Sequence, residues 1–267
     1  MSRFEDLVAE GAGVPVEGWD FSWFEGRATE ERPPWGYARL MGERMARAGA
    51  ALDVETGGGE VLATVARPPA LLVATEGWWP NVEVARARLR PLGAHVVAVD
   101  DSPTLPFSGA SFDLVVSRHP VVVLWDEVAR VLRPGGTYLT QQIGPGTNRE
   151  LTEFMMGPQP QNESRSGVRA RDAATAAGLE VVDLRECALR VAFFDVGAVV
   201  CFLRKVHWTV PNFTPEAYAA ELRRLHEHIE REGSFVSTAR RRLVEARRPA
   251  LGASGGPGPA KPPSRPT

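Results

Sequence analysis

Cysteine is scarce in this chain of 267 residues, which contains only Cys187 and Cys201. Both lie in apolar stretches of the sequence, and two thiols are too few for a disulfide framework or for a metal site built from cysteine and histidine. We therefore interpret both as small side chains of the core and predict no metal site.

Long apolar segments are also missing. The longest, residues 191–203, is interrupted by Asp195 and is shorter than the roughly 20 residues needed to span a bilayer. Residues 1–6 do not pair a basic region with a following apolar one, as a secretory signal would. These observations predict a cytoplasmic protein without a membrane span.

The chain has no excess of charge of either sign. Its net charge of -2 argues against a dedicated nucleic-acid binder, which needs a basic surplus to neutralise phosphates. The C-terminal part nevertheless contains a local cluster of arginines: Arg240, Arg241, Arg242, Arg247 and Arg248. We interpret this cluster as a solvated face, with an anionic partner as the alternative.

What the chain does contain is an alternation of short apolar segments with helical patterns. Predicted strands at 51–54, 70–75, 95–99, 112–117 and 137–143 alternate with predicted helices at 60–66, 82–92 and 126–132. Such alternation implies a parallel sheet with helices on both faces. The strands are continuously apolar, which agrees with burial on both sides.

The C-terminal part predicts further elements of both kinds. A helix at 169–177 leads into a strand at 180–184 that could extend to 191. Residues 195–206 are ambiguous, and their Asp start favours a helix. A helix at 215–232, with Thr214 as its N-cap and Gly233 as its end, precedes a last strand at 235–246.

These patterns divide the chain into three parts. The aromatic-rich residues 1–45 predict a cap over the mouth of the sheet. Residues 46–250 form the main α/β domain. Residues 251–267 consist mostly of Pro, Gly and Ser, and we expect a disordered tail there.

A glycine-rich turn follows the first predicted strand and begins at Asp53. Gly57 and Gly59 allow the backbone to approach a ligand closely. The dinucleotide pattern G-x-G-x-x-G fails here because its last position is Leu62. Glu76, about 20 residues after the turn, ends the second strand, where an acid can accept hydrogen bonds from both hydroxyls of a ribose.

Three further motifs complete a recognisable order: Asp100-Asp101-Ser102 before Leu105-Pro106-Phe107, then Ser111-Phe112-Asp113, then Leu132-Arg133-Pro134-Gly135-Gly136. Together with the glycine turn and Glu76, this order resembles the class I S-adenosylmethionine-dependent methyltransferases of type 11. The resemblance covers residues 50–143. It implies a Rossmann-like, doubly wound, mostly parallel sheet of seven strands with an antiparallel last strand, and S-adenosylmethionine as the cofactor.

The same resemblance implies the residues that bind the cofactor. The glycine turn would line the methionine and ribose, Glu76 would hold the ribose diol, and Asp101 would accept from the adenine amino group, with Asp100 as its competitor. Ser117 would flank the cofactor near the acceptor. The implied set is Asp53, Glu55, Thr56, Gly57, Gly59, Glu76, Asp100, Asp101, Ser102 and Ser117. Residues 134–136 are expected to form a structural turn.

The chain departs from the family pattern at two places. Glu55 stands where the first glycine of the turn is usual, and its carboxylate would either pair with the cofactor's ammonium group or narrow the pocket. The segment 117–125 is short, so the cover over the acceptor must come from the N-terminal aromatic residues or from the loop at 154–168.

Methyl transfer requires mainly that donor and acceptor be aligned and that water be excluded. If a base is needed, His119 is placed best, although a structural histidine is the alternative. Trp23, Trp35, Tyr37 and Gln142 are the candidates for contacting the acceptor, and the aromatic residues among them could instead belong to the core.

The sequence therefore predicts methyl transfer to a small molecule of unknown identity. Two alternatives remain: a relative that binds the cofactor without catalysis, and an NAD-type oxidoreductase. The oligomeric state is left open.

Overall fold

The computed structural model describes residues 3–17, 20–100, 102–160 and 166–250. The predicted tail at 251–267 and the candidate Asp101 lie outside the described residues. Within these described ranges, one sheet of eight strands forms the centre of the fold, in the order β1-β7-β8-β6-β5-β2-β3-β4. Its strands are β1 (Ala28–Glu30), β2 (Ala50–Val54), β3 (Leu71–Glu76), β4 (His95–Ala98), β5 (Phe112–Arg118), β6 (Leu132–Ile143), β7 (Glu180–Phe193) and β8 (Phe235–Arg247).

The predicted fold class is confirmed. Strands β2 to β6 are parallel, and β8 runs antiparallel between β6 and β7. Strand β1 was not predicted; it is a three-residue strand that pairs antiparallel with the end of β7 and makes an eighth strand. The carboxyl ends of the parallel strands share one edge of the sheet, which is where ligands bind in such folds.

In the described residues, eight α-helices surround this sheet: α1 (Arg3–Gly13), α2 (Tyr37–Met45), α3 (Trp79–Leu89), α4 (Trp125–Val131), α5 (Arg149–Met156), α6 (Gly167–Ala176), α7 (Val196–Lys205) and α8 (Ala219–Glu232). Helices α2 and α3 pack on one face, where Met41 and Leu89 contact the core beneath Val116. Helices α4 and α6 pack on the other face, around Tyr138. Helices on both faces were predicted. In the described part of the chain, no helix is both long and apolar enough to cross a membrane.

A second hydrophobic core lies beyond the carboxyl edge of the parallel strands. Strands β7 and β8 continue to pair past the last residue of β6, as far as Phe193 opposite Phe235. Residues 194–234, which connect these two strands, form α7 and α8, and these helices pack with α1 and α5 on the overhanging ribbon. These four helices therefore flank the carboxyl edge of the parallel strands.

Helices α1 and α7 approach each other with almost no side chain between them. A β-carbon on Gly11 would overlap the carbonyl oxygen of Gly197, and one on Gly197 would meet the carbonyl oxygen of Leu7. Asp195 begins α7 as its N-cap, accepting from the amide of Ala198 at 2.8 Å, and also pairs with Arg27. The predicted Asp start of this helix is confirmed.

Three boundaries predicted from the sequence are wrong. The expected helix at 60–66 is a single 3₁₀ turn, Leu62–Thr64, because glycines precede it and two prolines follow too closely for a longer helix. Helix α8 begins at Ala219 rather than at residue 215, because Thr214 caps only a preceding turn, accepting from the amide of Ala217. Its predicted end at Gly233 is confirmed, with φ 81°.

The third difference concerns residues 134–136, which form no turn between a helix and a strand. Strand β6 begins directly after α4, at Leu132, and the register of its pairing with β5 shifts near its start. Gly135 has φ 81°, and its amide donates to the carbonyl oxygen of Arg248. The amide of Arg248 donates in turn to the carbonyl oxygen of Gly136. The three residues therefore make a bulge inside the strand.

The interpretation of the arginine cluster as a solvated face is wrong for two members. Arg241 and Arg242 are 7% and 1% exposed, because β8 lies between two other strands and both of its faces are covered. Arg241 pairs with Glu30 at 2.6 Å, and Arg242 pairs with Glu186 at 3.0 Å. Arg248 donates to carbonyl oxygens at the end of α4.

The close approach of α1 and α7 makes a prediction about stability. Gly11→Ala forces a methyl group against the backbone of α7 and should lower the free energy of unfolding by about 1–3 kcal/mol. Gly13→Ala, in the same helix but with open space around its α-carbon, should change it by less than about 0.5 kcal/mol. Urea unfolding of the two variants measures the difference. Equal effects would contradict the helix packing described above.

Candidate functional site

The glycine turn after β2 is fastened to the end of β3. Its successive amides at Glu55, Thr56 and Gly57 donate to Thr75 Oγ1 at 3.3 Å, to the carbonyl oxygen of Thr75 at 2.9 Å and to Glu76 Oε2 at 2.7 Å. The turn therefore has one fixed shape, and its three first amides are used within the protein.

Glycine is required at two positions of this turn. Gly57 and Gly59 have φ values of 63° and 79°, which favour residues without a β-carbon. A β-carbon on Gly59 would also lie 2.9 Å from the side chain of Leu89, so the turn packs directly onto α3. Both glycines were predicted to bind the cofactor, and the conformation of the turn itself also requires them.

Glu76 connects the turn to the segment that follows β3. Its second oxygen, Oε1, accepts from the amide of Trp78 at 2.9 Å, and the residue is 7% exposed. The end of β4 is also joined to this place, since the amide of Val99 donates to the carbonyl oxygen of Glu76. Each carboxylate oxygen accepts one amide and keeps acceptor capacity for a ligand hydroxyl.

Asp53 is a second buried acid beside the same turn. Burial raises its pKa to about 7, and the negative charge of Glu76 acts in the same direction. Among the described residues, neither acid forms an ion pair with a lysine, arginine or histidine. Two neighbouring acids without a cation make this edge of the sheet favourable for a positively charged ligand.

Glu55 links the turn to the segment after β5. It has a left-handed backbone, with φ 57°, and its Oε2 accepts from the amide of Val121 at 2.6 Å. Burial raises the pKa of Glu55, although hydrogen bonds from the amides of Val121 and Val122 oppose this effect. The carboxylate therefore lies between the glycine turn and the segment after β5.

Asp100 and Ser102 follow β4, whose end is joined to Glu76 by the hydrogen bond from the amide of Val99. Asp100 Oδ1 accepts from the amide of Ser102 at 3.0 Å, and Ser102 Oγ lies 2.8 Å from Thr104 Oγ1. These two residues build the turn at the end of β4. Because Asp101 is outside the described residues, its competition with Asp100 for the adenine amino group stays open.

The hydroxyl of Ser117 is hydrogen-bonded within the sheet. The residue is fully buried, and its Oγ lies 2.8 Å from both Tyr138 OH and Thr140 Oγ1. Its carbonyl oxygen accepts from Tyr37 OH, also at 2.8 Å. The polar atoms of Ser117 are thus used within the protein, and its expected position beside the cofactor stays a prediction.

His119, the candidate base, is held by a chain of donors. Trp35 Nε1 can only donate, and it does so to Gln141 Oε1 at 2.7 Å. The amide nitrogen of Gln141 therefore faces His119 Nε2, 3.0 Å away, and donates to it. Burial and the charges of Arg118 and Arg241 keep the pKa of His119 well below its usual value. The imidazole is neutral, with its proton on Nδ1, so Nε2 already has a partner.

The candidates for contacting the acceptor divide among three places. Trp35 and Tyr37 are buried beneath the edge of the sheet near His119. Trp23 packs into the second core, with the guanidinium of Arg27 4.0 Å from its ring centre. Gln142 projects to the opposite face from Gln141, towards α6.

Sequence reasoning missed two exposed tryptophans at the site. Trp78 and Trp79 are separated from Glu76 by Gly77 alone and are 46% and 60% exposed. Large apolar side chains in this position provide a surface on which an aromatic base can stack. Two consecutive tryptophans after the acid at a strand end were the signal that could have identified them.

Comparison with known proteins agrees with this geometry. Residues 52–140 match the family model described as "Methyltransferase domain". A proposed methyltransferase from Bacillus halodurans is 21% identical, with a TM-score of 0.57, covering 80% of this chain and 99% of the other. The cyclase SpnF is 18% identical, with a TM-score of 0.53 and 92% of each chain covered. A protein of unknown function from Deinococcus radiodurans is 14% identical, with a TM-score of 0.57, covering 83% of this chain and 90% of the other.

No curated protein sequence matches the chain at a significant level. At such low identities, the solved structures establish a shared fold and nothing finer. One of them is named as a cyclase, so the fold alone does not determine the reaction.

The raised pKa of Asp53 predicts a specific dependence of stability on pH. The folded protein binds a proton on Asp53 that the unfolded chain releases above a pKa of 3.8, so this residue lowers stability increasingly as pH rises from about 4 to about 7. Asp53→Asn removes that penalty. Its stabilising effect should grow by roughly 2 kcal/mol between pH 5 and pH 8 in chemical unfolding.

Asp113→Asn is the matched control, with the opposite sign. Although partial burial acts to raise the pKa of Asp113, its hydrogen bond with Arg133 lowers it overall. Its charge therefore stabilises the fold at high pH, and the variant should lose stability at pH 8. A parallel pH profile for the two variants would contradict the assigned environment of Asp53.

Proposed function

We propose that this chain, which carries a methyltransferase domain of the class I, type 11 kind at residues 52–140, transfers a methyl group from S-adenosylmethionine to a small-molecule acceptor. The observation that carries the proposal is the pair of buried acids, Asp53 and Glu76, beside a rigid glycine turn and without a cationic partner among the described residues. A cationic nucleoside that also offers ribose hydroxyls fits this arrangement.

Different residues of this chain would contact different parts of the cofactor. Glu76 would accept from the ribose hydroxyls with the lone pairs that its two backbone partners leave. Asp53 and Glu55 would face the charged methionine end. Asp100 or Asp101, together with Ser102, would contact the adenine, and Trp78 would stack on its ring. Ser117 would flank the cofactor near the acceptor.

The bound cofactor supplies an activated methyl group on a sulfonium, which an acceptor attacks in line. The chain's own contribution is then to position the acceptor, to exclude water and to keep His119 neutral. Because Nε2 of His119 already accepts from Gln141, this side chain would act as a hydrogen-bond donor through Nδ1 in the neutral state.

Glu55 favours a second candidate function, a relative that binds the cofactor without catalysis. A carboxylate that bridges the glycine turn and Val121 narrows the space for the methionine end. The third candidate, an NAD-type oxidoreductase, has an observation against it. The helix whose N-terminus would bind the pyrophosphate is reduced to the 3₁₀ turn Leu62–Thr64.

Calorimetric titration with S-adenosylmethionine and S-adenosylhomocysteine tests the proposal. Micromolar binding is expected, and Glu76→Ala should weaken it at least tenfold, because hydrogen bonds to a charged acceptor are lost. Asp100→Ala and Asp101→Ala identify the adenine acceptor by the larger loss. Glu230→Ala, an exposed acid on α8 that pairs with Arg3, serves as the control that keeps full affinity.

Absence of binding to either ligand would contradict the proposal. Glu55→Gly, added to the series, separates the two interpretations of this residue. Weaker binding indicates pairing with the ammonium group, whereas tighter binding indicates obstruction and favours the non-catalytic candidate. The cytoplasmic location and the acceptor remain predictions.

A further inference from the structure

A cavity of about 410 Å³ lies on the far side of β6 from His119. It opens between the segment after β5 and helix α6, and Gln142 and Arg242 form its polar end. Val121 also lines it, and the amide of Val121 binds the carboxylate of Glu55 in the glycine turn. The cavity therefore adjoins the proposed cofactor site, and its volume suits a small molecule.

Gln142 lines this cavity and carries one side-chain donor that no described residue uses. Arg242 Nη1 can only donate, and it donates to Gln142 Oε1 at 3.1 Å. This contact fixes the amide orientation and directs Nε2 elsewhere. Gln142 is 93% buried (7% exposed), and its Nε2 has no hydrogen-bond partner within the part of the chain that the structure describes. Leaving a buried donor without a partner is costly, and a ligand oxygen that accepts from it would remove this cost.

The charge at this end is balanced. Arg242 is 1% exposed, and its guanidinium pairs with Glu186 through Nε at 3.0 Å. Arg169 and Asp172, of opposite sign, lie at the exposed rim on α6. An anionic ligand would thus find a cation that is already neutralised, and burying its charge would be costly. An uncharged oxygen that only accepts is the better complement to Gln142.

The remaining wall is apolar. Pro120, Val121, Val123, Trp125 and Ile143 line it, and Trp125 is held edge-on against Tyr138 with ring centres 5.5 Å apart. Binding of a hydrocarbon surface against this wall is favourable because it removes apolar area from water. A ligand that fills the cavity would therefore be largely apolar, with its polar atom at the end where Gln142 lies.

We propose that this cavity binds the methyl acceptor and that the acceptor is an uncharged, largely apolar carbonyl compound whose oxygen accepts a hydrogen bond from Gln142 Nε2. A separate nucleophilic heteroatom at the other end of the molecule would form the bond to the methyl carbon as the carbon–sulfur bond of the cofactor breaks, which leaves S-adenosylhomocysteine and releases one proton to water. The role of the ligand as methyl acceptor rests on the proposed function, whereas the binding of a carbonyl compound in the cavity does not. Gln142 would be a binding residue that orients the molecule, with its reactive end towards Val121 and the glycine turn.

Three probes of similar shape test the ligand class: 1-tetralone, the hydrocarbon tetralin and the anion 1-naphthoate. The ketone should bind about tenfold more tightly than tetralin. It should also shift the side-chain amide resonances of Gln142 in a ¹⁵N-labelled sample. The naphthoate should bind no more tightly than tetralin. Equal binding of ketone and hydrocarbon, preference for the anion, or unmoved Gln142 resonances would overturn the proposal.

Gln142→Glu is the matching variant. It keeps an acceptor for Arg242 Nη1 but replaces the free donor by a second oxygen. It should lose the tenfold preference for the ketone while binding tetralin within twofold of the wild type. Gln159→Glu makes the same chemical change outside the cavity lining and should keep the preference. A preference that survives in Gln142→Glu would overturn the assignment.

Titration with S-adenosylhomocysteine in the same samples separates this inference from the proposed function. Cofactor binding without any ketone preference overturns the cavity assignment alone. Ketone preference without cofactor binding supports the cavity and contradicts the methyltransferase proposal. The wild-type resonance shift decides the matter even if Gln142→Glu fails to fold.

Discussion

The candidate site depends on the contact between the carboxylate of Glu76 and the amide of Gly57. This hydrogen bond joins two parallel strands at their carboxyl ends and fixes the glycine turn between them. It also requires a charged group to be buried next to Asp53, whose pKa rises to about 7 as a result of burial and of that neighbouring charge. The fold thus accepts an electrostatic cost at one place, and a cationic ligand bound there would remove it.

Two adjacent glutamines lie at the same edge of the sheet, and their side chains project to opposite faces. Gln141 and Gln142 project to different faces of β6, and each is oriented by a partner that can only donate, Trp35 on one side and Arg242 on the other. Gln141 then donates to His119, whereas Gln142 lines the cavity and its Nε2 has no partner among the described residues. The sheet therefore separates a neutral histidine from a pocket that complements an uncharged oxygen.

Much of this arrangement follows from local sequence. The parallel order of strands, the turn at Gly57 and the Asp195 cap were predicted because each depends on neighbours in the chain. The overhang of β7 and β8 was not, since its length is set by the helical core that packs on it. For the same reason the sequence could not separate Trp23, which joins that core, from Trp35, which orients Gln141: the two aromatic residues differ only in their long-range contacts.

A crystal structure with S-adenosylhomocysteine tests the central claim most directly. The account predicts that the ribose hydroxyls lie within hydrogen-bond distance of Glu76, that the glycine turn keeps its bonds to the end of β3, and that the amino group of the ligand approaches Asp53 or Glu55. A ligand bound elsewhere, or a turn that must leave Glu76 to admit it, would contradict the claim that these buried acids form a cofactor site.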